Sequence, residues 1–308
     1  MSAEGSGITM KVLISGATGL IGSEVSARLL QQGHEVGHLV RNAARATAND
    51  LVWWPSRPLS PAVLSRYDAI VHLAGRPVAT LWTSKARREI LDSRVQGTAN
   101  LAAAAAEAFH STGTPHTLIS ASAIGYYGSR GDEELFETST SGMGFLADVC
   151  RQWEAAAQPA ALSGIRLVQM RTSIVLSPAG GALKQMLPIF RLGLGGRLGS
   201  GHQWWSWVSL ADAARAYLFA LENSQLQGPI NLAAPDSVTN AEFTRTLARV
   251  LRRPAFFAVP AIALRAMAGD MAEEMLLSSQ CVVPRQLIEH GFRFEDEELE
   301  AALRKMLL

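Results

Sequence analysis

Short apolar runs alternate with longer amphipathic stretches along most of the chain, and that alternation gives the first reading of its fold. Residues 11–15 (KVLIS) are apolar and open directly into Gly16-Ala17-Thr18-Gly19-Leu20-Ile21-Gly22. Residues 24–32 then place Val25, Leu29 and Leu30 on one helical face, Gly33 and His34 close that helix, and residues 35–40 read as a second strand. A strand, a helix and a strand in so few residues make a βαβ unit. From Arg41 to residue 64 the chain reads as irregular, rich in Ala, Pro and Trp. Residues 69–73 are a further buried strand, 87–110 mostly helix, 116–120 a strand, 145–157 a helix and 166–170 a strand, with Ile174, Val175 and Leu176 continuing apolar. Runs apolar on both faces, alternating with helices, predict a parallel sheet covered on both sides. The expected fold is α/β, a Rossmann-type doubly wound parallel sheet with a smaller, mostly helical C-terminal lobe.

The texture changes at Ser177, where glycines (Gly180, Gly181, Gly193, Gly195, Gly196, Gly199, Gly201) break the pattern and Trp204, Trp205 and Trp207 sit together. If that segment is extended, Trp205 and Trp207 share one side and Trp204 takes the other. Residues 212–221 then read as a helix and 228–232 as a strand. The remainder is mainly helical (241–251, 261–267 and 297–307), punctuated by Pro254, Pro260 and Pro284. The expected division is a flexible tail over residues 1–9, with Met10 a candidate original start. A nucleotide-binding domain follows over 10–176 and 206–233, and a small lobe over 177–205 and 234–308.

Composition narrows the class. With 28 basic against 27 acidic residues in 308 the net charge is +1, which gives no general field for nucleic acid or an anionic membrane. Cys150 and Cys281 allow at most one bridge, so the chain is no disulfide scaffold. Apolar stretches are interrupted well short of a membrane span. Acidic and thiolate residues are too scattered to suggest a metal. A soluble, cytoplasmic protein is expected, a monomer or homodimer whose partner is a small molecule.

Gly16, Gly19 and Gly22 lie between a strand and a helix, where a turn must bring main chain close to a pyrophosphate and present free N–H groups to it. A strand at such a position ends in an acidic residue when it holds the ribose of NAD. Here it ends in Val40-Arg41-Asn42, with Arg45 beyond, and a guanidinium pairs bidentately with a 2′-phosphate. NADP(H) is the expected cofactor. Packing of helix on sheet is the competing reading of the glycines, and a solvated charge that of Arg41.

With Leu73-Ala74-Gly75 and Ser120-Ala121-Ser122-Ala123-Ile124-Gly125-Tyr126-Tyr127-Gly128 added, the chain resembles the extended short-chain dehydrogenases/reductases. Within them it resembles an atypical group of epimerase family proteins related to NAD-dependent epimerases/dehydratases, which carry a C-terminal domain of unknown role. Further segments carry the likeness over residues 10–308: Ser93-Arg94, Trp153-Glu154, Gly195-Gly196-Arg197-Leu198-Gly199-Ser200-Gly201, Gln203-Trp204-Trp205-Ser206-Trp207, Asn231-Leu232-Ala233-Ala234-Pro235 and Gly291-Phe292-Arg293-Phe294. The resemblance implies that Gly16, Thr18, Gly19, Leu20, Ile21 and Gly22 wrap the pyrophosphate and that Arg41 takes the adenosine phosphate. Leu73, Ala74 and Gly75 would line the crevice, and Ser122 matches the catalytic serine or threonine beside the nicotinamide.

The catalytic pattern of that superfamily is broken. Active members carry Tyr-x-x-x-Lys on the helix after the serine strand, the lysine holding the nicotinamide ribose and lowering the tyrosine pKa. This chain has only Tyr67, Tyr126, Tyr127 and Tyr217, and no lysine between Lys85 and Lys184. Anchored on Glu154, the two positions fall on Leu146 and Cys150, four apart on one helix face. Another acid is needed. Tyr126 and Tyr127 are the nearest candidates, against aromatic packing of their loop, and His202 is a weaker one, against a polar loop residue. Cys150, without a neighbouring histidine, reads as a buried packing thiol. Asp148 and Glu154 read as capping, pairing or solvated groups. Arg94, Arg171 and Arg197 are candidate anion contacts that compete with structural ion pairs. The expectation is an NADP(H)-dependent oxidoreductase or epimerase-like enzyme. The alternatives are an NADPH-binding sensor or structural partner without turnover, and an isomerase that returns its hydride.

Overall fold

The structure is a computed structural model that describes residues 9–43, 46–47 and 49–308. All but Thr9 of the expected tail, and Arg45, lie outside the described residues.

In chain order, β1 (Lys11–Ser15) leads through α1 (Leu20–Gln31) to β2 (Glu35–Val40) and β3 (Asp50–Val52), then α2 (Pro61–Leu64), β4 (Ala69–His72), α3 (Ser84–Thr112) and β5 (Thr117–Ala123). Next come β6 (Glu134–Leu135), α4 (Phe145–Leu162), β7 (Arg166–Thr172), β8 (Ile174–Leu176), α5 (Gly181–Arg191) and β9 (Gly196–Leu198). The short strands β10 (Trp204–Trp205) and β11 (Trp207–Ser209) precede α6 (Leu210–Glu222), β12 (Gly228–Leu232) and β13 (Val238–Thr239). The chain finishes with α7 (Asn240–Leu251), β14 (Phe257–Val259), α8 (Ala261–Ala268), α9 (Asp270–Met275), β15 (Cys281–Val282), α10 (Arg285–Glu289) and α11 (Leu299–Leu307).

Seven parallel strands form one sheet in the order β12-β7-β5-β4-β1-β2-β3. The chain winds outward from β1 to β3, then returns to lay β4 on the other side of β1. This reversal opens a crevice beyond the carboxyl ends of β1 and β4, the place where open parallel sheets hold ligands. The doubly wound α/β fold with a mostly helical C-terminal region is therefore as the alternation implies. Strand residues alternate between two cores. Val12, Ile14, Val71, Ile119 and Val168 meet α1 and α6 through Val25, Leu29, Ala213 and Tyr217. Leu13, Ile70, Leu118 and Leu167 meet α3 and α4 through Leu101, Ala105, Ala157 and Ala160. The alanines let both helices approach the sheet closely, and each fully buried aliphatic side chain contributes about 1.5–3 kcal/mol.

Several elements differ from the reading of the sequence. The stretch read as irregular contains the edge strand β3 and the single turn α2. Three residues, none fully buried, are too few to show a period. Helix α1 starts at Leu20 rather than residue 24, because Gly22 belongs to its first turn and a glycine there looks like continued loop. Helix α4 runs past Pro159 to Leu162, and α5 forms around Pro188 with Leu183, Leu187 and Phe190 buried along one face. In both, tertiary packing overrides a poor helix former.

A third core joins Leu176, Leu183, Leu187 and Phe190 to Trp205, Trp207, Phe243, Leu247 and Leu303. Trp205 and Trp207 point inward as alternation requires, whereas Trp204 is half-buried and donates its Nε1–H to Asp132 at 2.9 Å. The C-terminal segment is tied back to α6 by the fully buried Asp212, whose carboxylate accepts the backbone N–H groups of Glu295 and Asp296 (2.8–3.0 Å) and Nη1–H of Arg215 at 2.5 Å. No helix among the described residues is long and apolar enough to cross a membrane.

Candidate functional site

Ser15 ends β1 and the chain turns at Gly16 with φ +74°, where a Cβ would lie 2.8 Å from the carbonyl carbon of Leu73. The N–H of Gly19 donates to Gly16 O at 2.9 Å, and a Cβ on Gly22 would stand 2.3 Å from that same oxygen. Only a chain bare of side chains at these points passes so directly from strand to helix. The N-cap Gly19 offers no side-chain acceptor, and the first turn of α1 holds no acid. Its first intrahelical bond is Ser23 N–H to Gly19 O, so the N–H groups of Leu20, Ile21 and Gly22 are left for an outside acceptor. With the helix dipole behind them, such free N–H groups are of the kind that can receive an anion. Thr18 and Gly19 are exposed at its rim.

Arg41 is exposed one residue beyond β2, on the far side of β1 from β4, and pairs with no carboxylate among the described residues. The acid nearest in register, Asp50 on β3, is already held by His38 Nδ1 at 2.9 Å and by the N–H of Thr47 at 2.7 Å.

The crevice edge is fixed from below. Ser15 Oγ accepts the N–H groups of Leu73 and Ala74 at 3.2 and 3.3 Å and lies 2.6 Å from His72 Nδ1. The hydroxyl therefore donates to Nδ1, and the imidazole carries its proton on Nε2, which has no partner among the described residues. Complete burial holds the His72 pKa down, from 6.5 to about 4. The folded protein resists a proton that the unfolded chain accepts below pH 6.5. The stability is fully present above that pH and falls as pH drops toward 4, by roughly 3 kcal/mol at 1.36 kcal/mol per unit. Urea unfolding of the wild type and of His72→Asn between pH 7.5 and 4 should diverge by that amount, and parallel curves would refute the assignment.

Beyond β5 and β7 lies a cavity of about 330 Å³, near the lower end of ligand-pocket sizes. Leu20 at the start of α1, Leu146, Val149, Cys150 and Trp153 of α4, and Ile174, Val175, Trp204, Trp205 and Met275 make it largely apolar. Two buried polar atoms of residues on its wall, Ser173 Oγ and Trp205 Nε1, have no partner among the described residues. An orphaned buried donor costs about 1–3 kcal/mol, which a ligand oxygen would relieve. The C-terminal region supplies the remaining wall. Glu274 accepts the N–H groups of Phe145 and Leu146 at 2.9 and 2.7 Å and so caps α4, and Gln280 donates to the carbonyls of Ile124 and Gly128.

The candidate acids and bases are not on that wall. Ser122, on β5, shares the α4 face with Arg171, its register partner on β7, and donates to Glu154 Oε1 at 2.7 Å. Glu154 is bound by Arg171 through Nε at 2.8 Å and Nη2 at 2.9 Å. Arg171 also donates to the Tyr127 hydroxyl at 3.0 Å and to Glu137 O at 3.1 Å, while Tyr127 donates to Asn231 Oδ1 at 2.6 Å. The Tyr126 ring lies 3.6 Å from the guanidinium carbon of Arg171. Burial pushes the Tyr127 phenol up to about 12. Ser122, Tyr126 and Tyr127, the candidates for contact with substrate, sit together around Arg171 behind the cavity, and none of them lines its wall. His202 is exposed in the loop between β9 and β10 and is no part of the wall. Arg197 donates to Ser200 O, in that same region.

Leu146 and Cys150 both line the cavity. Burial, reinforced by Glu154, pushes the Cys150 thiol up to about 12, so it stays a neutral packing group. Asp148 pairs with Arg151. Ser173, Trp205 Nε1, Glu274 and Gln280 escape a reading of the sequence. Only Ser173, just past the carboxyl end of β7, occupies a position that strand order could have marked.

Residues 12–233 match the NAD dependent epimerase/dehydratase family, and residues 259–306 match a domain of unknown function, DUF1731. An epimerase family protein of Mycobacterium bovis is 44% identical over 294 residues, covering 95% of this chain and 96% of the relative. The crystal structure of the human epimerase family protein SDR39U1 (isoform 2) with NADPH is 34% identical, with a TM-score of 0.86 over 96% of this chain and 99% of that one. A nucleoside-diphosphate sugar epimerase from Corynebacterium glutamicum is 35% identical, with a TM-score of 0.80 over 97% of this chain and 58% of its own.

Proposed function

Since the chain belongs to the NAD dependent epimerase/dehydratase family, we propose that it binds NADP(H) and acts as an oxidoreductase or epimerase-like enzyme on a small substrate. The observation that carries this reading is the uncapped start of α1, which opens on a cavity with orphaned donors, while on the other side Arg41 pairs with no acid among the described residues. The glycine turn fits a pyrophosphate because side chains at Gly16 and Gly22 would fill its cradle. The NADPH held by the human relative supports the same choice. In this reading Gly16, Thr18, Gly19, Leu20, Ile21 and Gly22 hold the pyrophosphate, Arg41 the 2′-phosphate, and Leu73, Ala74 and Gly75 the crevice edge. The domain of 10–176 and 206–233 carries the nucleotide, and the lobe of 177–205 and 234–308 closes the substrate end.

Bound NADP(H) supplies the hydride chemistry. The apolar wall excludes water, and Ser173 Oγ–H and Trp205 Nε1–H hold the substrate oxygen on which charge changes. Ser122, Tyr126, Tyr127, Glu154 and Arg171 act from behind, fixing the 123–125 wall. The size and apolar lining of the cavity suit a compact carbonyl compound better than a nucleoside diphosphate. The second reading, a nucleotide-binding sensor, is favoured by one fact: neither Leu146 nor Cys150 can pass a proton. NADPH consumption with small aldehydes and ketones separates the two, and an isomerase would form product with no net NADPH loss.

The test of the cofactor is Arg41→Glu. Loss of a charged hydrogen bond of about 1.5–3 kcal/mol should shrink the preference for NADPH over NADH by roughly 10- to 150-fold. Paired titrations with the two cofactors measure it, and an unchanged ratio would remove Arg41 from the site.

A further inference from the structure

The balanced charge of the whole chain hides a local imbalance. Residues 178–211 and 243–269 hold no Asp or Glu, while Lys184, Arg191 and Arg197 fall in the first segment and five arginines in the second. The fold brings the two segments together. Strands β9 and β14 form a two-stranded parallel sheet of their own, and Pro254 Cγ lies 3.2 Å from the place a Cβ on Gly193 would take. Arg249 and Arg265 are paired with Glu300 and Glu273. Arg191, Arg252 and Arg253 are exposed beside this junction and form no ion pair among the described residues. Apolar side chains are exposed at the same place: Phe256 is 89% accessible, Ile262 76% and Leu192 74%, with Leu194 and Phe257 more than half exposed. Apolar groups gathered in this way and rimmed by charge mark a contact surface. None of these residues lines the cavity described above.

The main chain says what kind of partner fits. Phe257 O turns toward β9, where a Cβ on Gly196 would stand 1.5 Å from it, and Val259 O accepts the N–H of Gly199 at 2.9 Å. Strand groups alternate in direction, so the N–H and C=O of Phe256 and Ala258 face away from β9. They meet no donor or acceptor among the described residues. The hydrocarbon of a bilayer would offer these groups nothing, and a second copy of the same face would set arginine against arginine. An extended acidic polypeptide meets all three demands. It pairs with the edge, covers the apolar side chains and neutralises the guanidinia.

We propose that β14 is a docking edge, on which an extended segment of a partner protein, rich in acidic and apolar residues, lies as the third strand of the β9-β14 sheet. Its apolar side chains cover Phe256 and Phe257, and its carboxylates pair with Arg191, Arg252 and Arg253. The edge is short, closed off by Pro254 and Pro260, so backbone pairing sets the register while side chains and charge carry much of the affinity. The surface is separate from the nucleotide crevice, and the proposal stands whether or not the chain turns over a substrate.

The probe is a fluorescein-labelled peptide of alternating Glu and Val, read by fluorescence anisotropy against the full chain. It should bind, and a Lys/Val peptide of the same pattern should not. A Glu/Val probe methylated on its backbone nitrogens keeps its charge but cannot pair as a strand, and should bind about tenfold more weakly or worse. Ala258→Pro, which removes an outward N–H that β9 does not use, should weaken the unmodified probe to a similar degree. So should Arg252→Glu combined with Arg253→Glu, with circular dichroism to confirm the fold. The methylated probe carries the comparison if a variant does not fold. Failure of the folded wild type to bind the Glu/Val peptide would overturn the proposal, as would equal affinity for the methylated probe. Capture by vesicles of phosphatidylserine and phosphatidylcholine in place of the peptide would give the face to lipid, and self-association abolished by Phe256→Ser would give it to a second copy. Either result overturns the docking edge.

Discussion

Arg171→Met should lower the unfolding free energy by about 3–5 kcal/mol, the range for breaking a buried ion pair from one side. The guanidinium is almost fully buried and satisfies the Glu154 carboxylate, the Tyr127 hydroxyl and the Glu137 carbonyl at once. Methionine fills much of the space and leaves a carboxylate behind with only the Ser122 hydroxyl to meet it. Urea unfolding at pH 7 measures the loss, and a change below about 1 kcal/mol would show that the network is not what holds β5, β7 and α4 in place. Adding Glu154→Leu should recover a large part, because the stranded charge goes with it. Catalysis by Ser122 through direct substrate contact would instead make Ser122→Ala the more severe change in turnover.

Gly22→Val is expected to weaken NADPH binding by disturbing the helix start itself. Its Cβ would stand 2.3 Å from the Gly16 carbonyl oxygen, which is main chain and cannot swing aside. The turn must open, carrying the amides of Leu20 and Ile21 away from the anion. Overpacking of this kind costs about 1–3 kcal/mol, which at 1.4 kcal/mol per tenfold is roughly 5- to 150-fold in affinity. Calorimetric titration reads it, with circular dichroism to confirm that the sheet persists. Retained affinity in a folded Gly22→Val protein would mean that the helix start is not the anion site.

Much of the fold was legible because its signals are local. The runs around Val12, Ile70 and Val168, and Gly16, Gly19 and Gly22, each announce themselves within a few residues. The place of Arg41 at the end of β2 was legible for the same reason, since it directly follows a strand. What was hidden depends on distant chain or on burial. Residue matching singles out Ser122, yet its hydroxyl is committed to Glu154 by the way α4 crosses β5 and β7. Glu274 and Gln280 reach the wall from the C-terminal region, more than 120 residues beyond their acceptor or donor partners. Helix α5 was missed because Pro188 and the flanking glycines obscure the apolar stripe of Leu183, Leu187 and Phe190. Alternation sets Trp205 beside Trp207, but that its ring both packs in a core and walls the cavity, while its N–H meets no partner among the described residues, needed three dimensions.

Asp212 gives α6 and the 295–296 segment a shared fate. Its carboxylate is sealed from solvent inside the helix that covers the sheet, yet two of the groups that neutralise it are amides some eighty positions later, at Glu295 and Asp296. Without those two amides, Arg215 would be the main group left to meet that carboxylate among the described residues. The sheet's cover is thus complete only once the 295–296 segment has docked, which makes that segment the keystone of an arch rather than an appendage to it.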